Sequence, residues 1–399
     1  MSQTREIIRL AARGDGVLED GTHVPGAVPG DTIGADGAII PGPHHVSPPC
    51  RHFGQCGGCQ LQHADEMVLR EFVTNRVVNA ATGQGLAVEQ LLETHLSPAH
   101  TRRRATLHSQ RIKGRLVIGF KQAQSHRLID LAQCPVLLPE LVDMARLLRD
   151  FLKQFGPKGA VDISMTQVDQ GIDLGLTNFP LDGLGPTEGA LDFARNNGLA
   201  RLSIDQGFGS EALWEPEPVT VTLSGIPVAM PPAAFLQATA DAEARMIADA
   251  SDWLEGANLV ADLFAGLGTF AFALSEGRKV LAAEAERAAH LACNAAARQH
   301  GAPVHALHRD LFRNPLQPAE LDRFDAVLLD PPRAGAKSQI GEIARSKVAR
   351  VVYVSCNPSS WARDAAALVE GGYRLTRLRP VGQFRWSTHV ELVSLFERD

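Results

Sequence analysis

The chain has no run of 18 apolar residues, which excludes an ordinary membrane-spanning helix. Its first ten residues, Met-Ser-Gln-Thr-Arg-Glu-Ile-Ile-Arg-Leu, lack an apolar h-region and a small-residue cleavage site, so the expected compartment is cytoplasmic. Internal repeats and low-complexity tracts are missing too. Nor is there the net positive charge of a general nucleic-acid binder: the balance is −6, so any such contact needs a local basic face. What is present is 399 residues of ordinary globular composition, 45% hydrophobic and 21% charged, enough for two or three domains and at least one large core.

One stretch lacks acid altogether. From Thr101 to Ile129 there are eight basic residues (Arg102, Arg103, Arg104, Arg111, Lys113, Arg115, Lys121 and Arg127) and no carboxylate. A solvated strand face can carry such a run, but in an acidic chain it reads as a phosphate-tracking surface.

The six cysteines are unevenly placed. Cys50, Cys56 and Cys59 cluster in Cys-Arg-His-Phe-Gly-Gln-Cys-Gly-Gly-Cys, and Cys134 precedes Pro135. In a cytosolic chain such a cluster points to metal rather than to disulfides. Gly57 and Gly58 let the loop fold so that the flanking sulfurs face one centre, with Cys134 as a possible fourth thiolate. Spacing leaves zinc and an iron–sulfur cluster both open. Cys293, within His-Leu-Ala-Cys-Asn-Ala-Ala-Ala, reads as a core residue.

Composition divides the chain into three regions. Residues 1–49, rich in Gly and Pro, read as a small strand-and-turn module. Residues 50–234 mix helical patterns near 65–80 and 138–153 with hairpins turning at Lys113-Gly114 and Asp169-Gln170-Gly171, and Pro231-Pro232 marks a boundary. From 235 to 399 strands and helices alternate, with strands expected at 258–264, 279–284, 303–307, 324–330 and 350–356, and two more at 373–381 and 390–397. The fold class is therefore α/β, with a mainly parallel sheet covered on both faces by helices.

Chemistry concentrates at the ends of those strands. Asn-Leu-Val-Ala-Asp-Leu-Phe-Ala-Gly-Leu-Gly-Thr (258–269) is a strand running into a loop whose glycines allow close approach of a ligand. Glu284 follows Asp262 by 22 residues, where a carboxylate can take both ribose hydroxyls, and Asp310 falls where it could meet an adenine edge. Either alone could be a helix cap; with the glycine loop they favour an adenosyl cofactor. Asp330-Pro331-Pro332-Arg333 aims a carboxylate into the sheet mouth, and Arg333 in place of an aromatic disfavours methylation of an exocyclic amine. Val-Val-Tyr-Val-Ser-Cys-Asn-Pro (351–358) puts the Cys356 thiol at the end of a buried strand. C5 of a pyrimidine becomes nucleophilic only after a thiolate adds at C6, and its proton must then be removed. Glu391, opening an apolar strand in Thr-His-Val-Glu-Leu-Val (388–393), is the expected base, with His389 as a rival.

On these motifs, together with Phe-Leu-Gln (235–237) and His-Val-Glu (389–391), the chain resembles the RNA uracil-5-methyltransferase family over nearly its whole length, and especially the iron–sulfur branch acting on 23S ribosomal RNA. The resemblance implies a Rossmann-like class I methyltransferase domain at 235–399, a central α+β RNA-binding domain with an iron–sulfur cluster at 50–234, and a TRAM-like (OB-like) β module at 1–49. It implies Cys356 as nucleophile, Glu391 as proton acceptor, and Asp330 as a contact to uracil and cofactor. S-adenosyl-L-methionine would be held by Gln237, Phe264, Thr269, Glu284, Asp310 and Asp330. A 4Fe–4S cluster would sit on Cys50, Cys56, Cys59 and Cys134. Thr269 stands where relatives often have Asn, and Gln383-Phe384-Arg385-Trp386 replaces a commoner Met-Phe-Pro segment. The alternatives are a tRNA uracil-5-methyltransferase, whose relatives generally lack the cysteine cluster, and a non-catalytic RNA-binding factor. RNA cytosine enzymes carry a further cysteine near Asp-Pro-Pro that this chain lacks.

Overall fold

The computed structural model describes residues 5–123 and 125–398, so residues 1–4 of the amino-terminal module, Gln124 of the basic stretch and Asp399 lie outside it. The strand-and-helix alternation after residue 235 supplies seven strands of a nine-stranded sheet. Its order is Val304–His308, Lys279–Glu284, Leu259–Leu263, Ala326–Leu329, Arg350–Ser355, Glu391–Glu397, Arg374–Gly382, then Val88–Leu91, with His95–Leu96 also pairing on Arg374–Gly382. The first five strands run parallel, and Glu391–Glu397 is inserted antiparallel to both its neighbours. Strand order reverses direction around Leu259–Leu263, which opens a ligand crevice at the carboxyl ends of the parallel strands.

The continuous apolar strands follow from burial on both faces. One face packs Phe72 and Val73 of the helix Glu66–Gly83 against Tyr353, Trp361 and Phe396. The other packs Met246 and Trp253 of the helix Ala240–Trp253 with Phe270, Phe272 and Cys293, so Cys293 is a core residue as read. Helix ends obey local chemistry: Asp65 and Thr239 cap amino termini, and Gly301 closes the helix Arg287–His300 in the left-handed region at φ 64°.

The central region forms a six-stranded sheet, ordered Ser210–Trp214, Arg201–Asp205, Gly171–Thr177, Val161–Val168, Arg104–Ile112, Arg115–Gly119, with both expected hairpin turns in place. The helix Pro139–Phe155 covers it. At the amino terminus five strands of two to six residues order as His23–Val24, Gly16–Leu18, Arg5–Leu10, Thr32–Ile33, Ile39–Ile40. The β module is present, but among the described residues its two edge strands do not pair, because strands of two residues are too short to close a barrel.

The helix Pro358–Glu370 aligns the two loops that matter. Asn357 Nδ2 and Ser360 Oγ both donate to the Arg333 carbonyl at 2.9 Å. Asp364, 1% exposed, accepts the Tyr353 hydroxyl at 2.8 Å and the Ala336 N–H at 2.7 Å. Residues 330–336 are thereby tied to the strand and helix that flank Cys356. Asp364→Ala leaves two buried donors unpaired and should lower unfolding free energy by about 2–5 kcal/mol, whereas Asp364→Asn, which keeps an acceptor, should cost less. Urea unfolding of the three proteins measures this, and equal losses would refute the role of the acceptor.

Candidate active site

Strand register brings Cys356 and Glu391 together. Ser355 and Leu392 form the last pair of the antiparallel ladder between Arg350–Ser355 and Glu391–Glu397, so Cys356 and Glu391 are the residues just beyond that pair, and the Glu391 charge acts on the Cys356 thiol. Asp330 follows the neighbouring parallel strand, and its backbone N–H reaches the Leu263 carbonyl at 3.2 Å.

A chain of hydrogen bonds links the three sequence-predicted polar groups through one that sequence reading did not assign. Gln237 Nε2 donates to Asp330 Oδ2 at 3.0 Å, and Gln383 Nε2 donates to Gln237 Oε1 at 3.3 Å and to Glu391 Oε1 at 2.7 Å. Glu391 and Gln383 are 5% and 2% exposed. Burial pushes the Glu391 carboxyl up to about 7, although the Gln383 bond, Arg104 and Arg333 oppose the rise. Asp330 is held well above the usual carboxylate range by burial, then by Glu391 and Asp262. Burial, Glu391 and Asp330 raise the Cys356 thiol to about 11, with Arg333 acting against them. The resting site is thus a protonated thiol beside a carboxyl that titrates near neutrality. His389 lies exposed, edge-on to Phe384 at 6.1 Å, and partial desolvation followed by Arg333, Arg102 and Arg76 lowers its pKa.

The glycine loop lies on the other side of the crevice. Gly268, at φ 95°, caps the short helix Thr269–Leu274, and a Cβ there would stand 2.7 Å from the Phe272 ring. Glu284 accepts the Gly266 N–H at 2.8 Å and the Glu286 N–H at 2.6 Å, one on each oxygen, so each oxygen keeps a lone pair. Asp310 accepts the Phe312 N–H at 3.0 Å. Phe264, a non-glycine residue at φ 64°, sets its ring 5.4 Å from that of Phe312, which is 47% exposed. Below the loop Asp262 is fully buried, and neither carboxylate oxygen has a hydrogen-bonding partner among the described residues. Two acids and two rings around a glycine loop suit ribose hydroxyls and an adenine face.

The family model for tRNA (uracil-5-)-methyltransferase matches residues 226–399. An uncharacterised RNA methyltransferase of Zymomonas mobilis is 49% identical over 99% of this chain and 100% of its own length. The chain belongs to the RNA uracil-5-methyltransferase family. The 23S rRNA (uracil(1939)-C(5))-methyltransferase RlmD of Pectobacterium atrosepticum, another relative, is 34% identical over 90% of this chain and 82% of its own. The crystal structure of Pyrococcus abyssi tRNA (uracil-54, C5)-methyltransferase, a complex with S-adenosyl-L-homocysteine, shares the fold at TM-score 0.76 and 21% identity, covering 99% of this chain and 100% of that one.

In this methyltransferase Cys50, Cys56, Cys59 and Cys134 line a single cavity of about 40 Å³ together with Arg102. Gly57 is required there, since a Cβ would come 2.9 Å from the Lys121 carbonyl. Burial raises the Cys56 and Cys134 thiols and takes Cys59 to about 12. Among the described residues no three Cys, His, Asp or Glu side chains are drawn together as around a single bound ion. The four thiols around one cavity are by their chemistry able to hold a metal centre.

The basic stretch is corrected. Arg102, Arg103 and Arg104 do not form a phosphate-tracking face, because they fill the junction between the central and catalytic sheets. Arg102 lies over the Phe384 ring at 5.2 Å, Arg103 pairs with Glu243 at 2.6 Å, and Arg104 lies over Phe235 at 4.4 Å. Arg111 caps the helix Pro139–Phe155 through the Lys153 carbonyl at 2.8 Å, and Arg115 pairs with Asp130 at 2.9 Å. Lys113, Arg115, Lys121 and Arg127 remain exposed.

Folding raises the Glu391 pKa from 4.5 to about 7, so its contribution to stability is fully present below 4.5 and lost as pH rises through about 7. Glu391→Gln removes this dependence. The variant should gain on the order of 3 kcal/mol on the wild type between about pH 4.5 and about pH 8. Denaturation at the two pH values checks this, and a pH-independent difference would mean that Glu391 titrates as in water.

Proposed function

We propose that this enzyme transfers a methyl group from S-adenosyl-L-methionine to C5 of a specific uridine in 23S ribosomal RNA. The observation that carries the reading is the convergence of Cys356 and Glu391 at the end of one ladder, with Asp330 bonded through Gln237 to the same network. The RNA class is supported by the 23S rRNA relative, 34% identical over 90% of this chain.

The target base leaves its stack to reach the thiol. Cys356 gives up its proton to solvent and its sulfur bonds to C6, and the electron pair of the C5–C6 double bond moves onto C5 and the C4 carbonyl. A neutral Asp330, favoured by its raised pKa, can donate to the uracil as charge develops on its oxygen. When bound, the sulfonium would supply an electrophilic methyl group to C5, its sulfur–methyl bond breaking to leave a neutral thioether. Ionised Glu391 then removes the C5 proton, the C5–C6 double bond re-forms and Cys356 departs. Gln237, Phe264, Thr269, Glu284, Asp310 and Asp330 would hold the donor, Glu284 at the ribose and Phe264 with Phe312 at the adenine.

Cys50, Cys56, Cys59 and Cys134 would carry a 4Fe–4S cluster, since buried thiols of raised pKa ionise readily only when a cationic centre binds them. Residues 1–49 and 50–234 would hold the surrounding RNA and residues 235–399 perform the transfer, in the cytoplasm. Among the described residues no helix is long and apolar enough to cross a membrane.

Incubation with labelled donor and either 23S rRNA or tRNA tests the reading: methyl should enter uridine C5 of the ribosomal RNA. Incorporation into tRNA alone would favour the tRNA alternative, and none into either would favour a binding factor. Glu391→Gln should accumulate a covalent RNA adduct on denaturing gels and Cys356→Ala should form none, whereas free turnover by the glutamine variant would exclude Glu391 as the base. Cys134→Ser should lose bound iron and, through the loop that touches Trp386, reduce turnover. Full iron content in that variant would remove Cys134 from the ligand set.

A further inference from the structure

Gln383 occupies an unusual position for an amide. It is 2% exposed, and its Nε2 donates to Glu391 Oε1 at 2.7 Å and to Gln237 Oε1 at 3.3 Å. These two acceptors fix which end of the carboxamide is nitrogen, because the flipped amide would set oxygen against two oxygens. Its own Oε1 is buried and has no hydrogen-bond donor among the described residues. An acceptor stranded in this way is costly unless something bound later satisfies it.

We propose that the Gln383 carbonyl oxygen accepts the N3–H of the target uracil and thereby selects uracil over cytosine. The inference rests on the uracil chemistry above and adds a specificity residue to it. In a nucleoside N1 is the glycosidic nitrogen, so N3–H is the single ring donor of uracil, flanked by the O2 and O4 acceptors. An unpaired acceptor on the amide that bonds Glu391 therefore has one donor available on the uracil ring. Cytosine presents a lone pair at N3, which would face the oxygen repulsively. A site built to pair a donor discriminates strongly against an analogue lacking it, because the acceptor is then left unsatisfied. Gln383 stands where the family's commoner segment has Met, a side chain with no such acceptor.

The test is a cycle between two proteins and two RNAs: wild type and Gln383→Met, each with one target RNA carrying uridine or 3-deazauridine, in which C3–H replaces N3–H. Comparing the proteins on the same RNA cancels the intrinsic reactivity of the base. Single-turnover kcat/KM should fall about 10- to 100-fold for the wild type on the deaza RNA, and by a similar factor for the variant on uridine. The variant should lose less than about threefold more when both changes are combined, the signature of one shared contact. Fully additive losses would mean that Gln383 only positions Glu391, and would overturn the proposal. So would a wild type indifferent to the deaza substitution, a result that needs no variant and stands even if Gln383→Met folds poorly. No methylation of the uridine RNA by the wild type would instead overturn the proposed function and this inference with it.

Discussion

The carbonyl of Trp386 receives two backbone N–H groups, from Gln60 at 2.8 Å and Leu61 at 3.0 Å, and much of the site depends on that junction. Gln60 also accepts the Thr388 N–H at 3.3 Å and donates to the Gly57 carbonyl at 2.8 Å. The loop that carries three of the four clustered cysteines is thus clamped to the segment that delivers Glu391. Trp386 holds a left-handed backbone, φ 64°, which costs a non-glycine residue of order 1–3 kcal/mol and persists only when its surroundings enforce it. The clamp supplies that enforcement. It also gives the cysteine cavity a physical reason to exist far from the reacting carbon: whatever orders that loop orders the base.

Inside the crevice the governing quantity is dielectric. Asp262, Asp330 and Glu391 are carboxyls with pKa values raised first by burial, and the latter two act in turn on Cys356. Three ionised acids could not share such a space, so the resting site keeps protons, which suits a reaction that must both donate and accept them. Arg104 and Arg333 are the counterweights. Burial lowers Arg104 to about 10, which still leaves it charged at neutral pH, and its charge together with that of Arg333 keeps Glu391 near 7 rather than higher. Arg333 already stands at the surface, and moving the partly buried Arg104 there as well would free a cation for RNA but would let the Glu391 carboxyl rise further.

That trade explains where the sequence was legible and where it was not. Strand ends in an open α/β sheet are predictable ligand positions, so Cys356, Asp330, Glu284 and Asp310 could be found from apolar runs that stop at polar residues. The cysteine spacing likewise brought three thiols to one place, with Cys134 arriving from 75 residues beyond Cys59. Side chains whose role comes from a distant partner carried no such sign. Arg102, Arg103 and Arg104 look like a surface because charge is local in sequence, whereas Phe384, Glu243 and Phe235 are not. Gln383 is an ordinary amide until Glu391 and Gln237 stand beside it. The strands Val88–Leu91 and His95–Leu96 were hidden for the same reason, since they complete a sheet whose other members lie far along the chain.

Register is the last requirement. A slip of one residue in the ladder between Arg350–Ser355 and Glu391–Glu397 would turn Glu391 to the opposite face and leave the thiol without its base. Two features prevent it. Ser394, fully buried and paired with Tyr353, accepts the Trp361 Nε1–H at 2.9 Å and donates to the Tyr353 carbonyl at 3.1 Å, which locks the middle of the strand to the helix following Cys356. On the other side the ladder to Arg374–Gly382 carries an irregularity between Leu375 and Arg377, and Thr376 there bonds Glu397 at 2.7 Å. A bulge at one end and a side-chain lock in the middle leave no equivalent pairing for the strand to slide into. The approach of Cys356 to Glu391 is therefore set by backbone pairing rather than by flexible side chains, which is what the proposed covalent mechanism requires, because an adduct that formed without Glu391 in place could not be released.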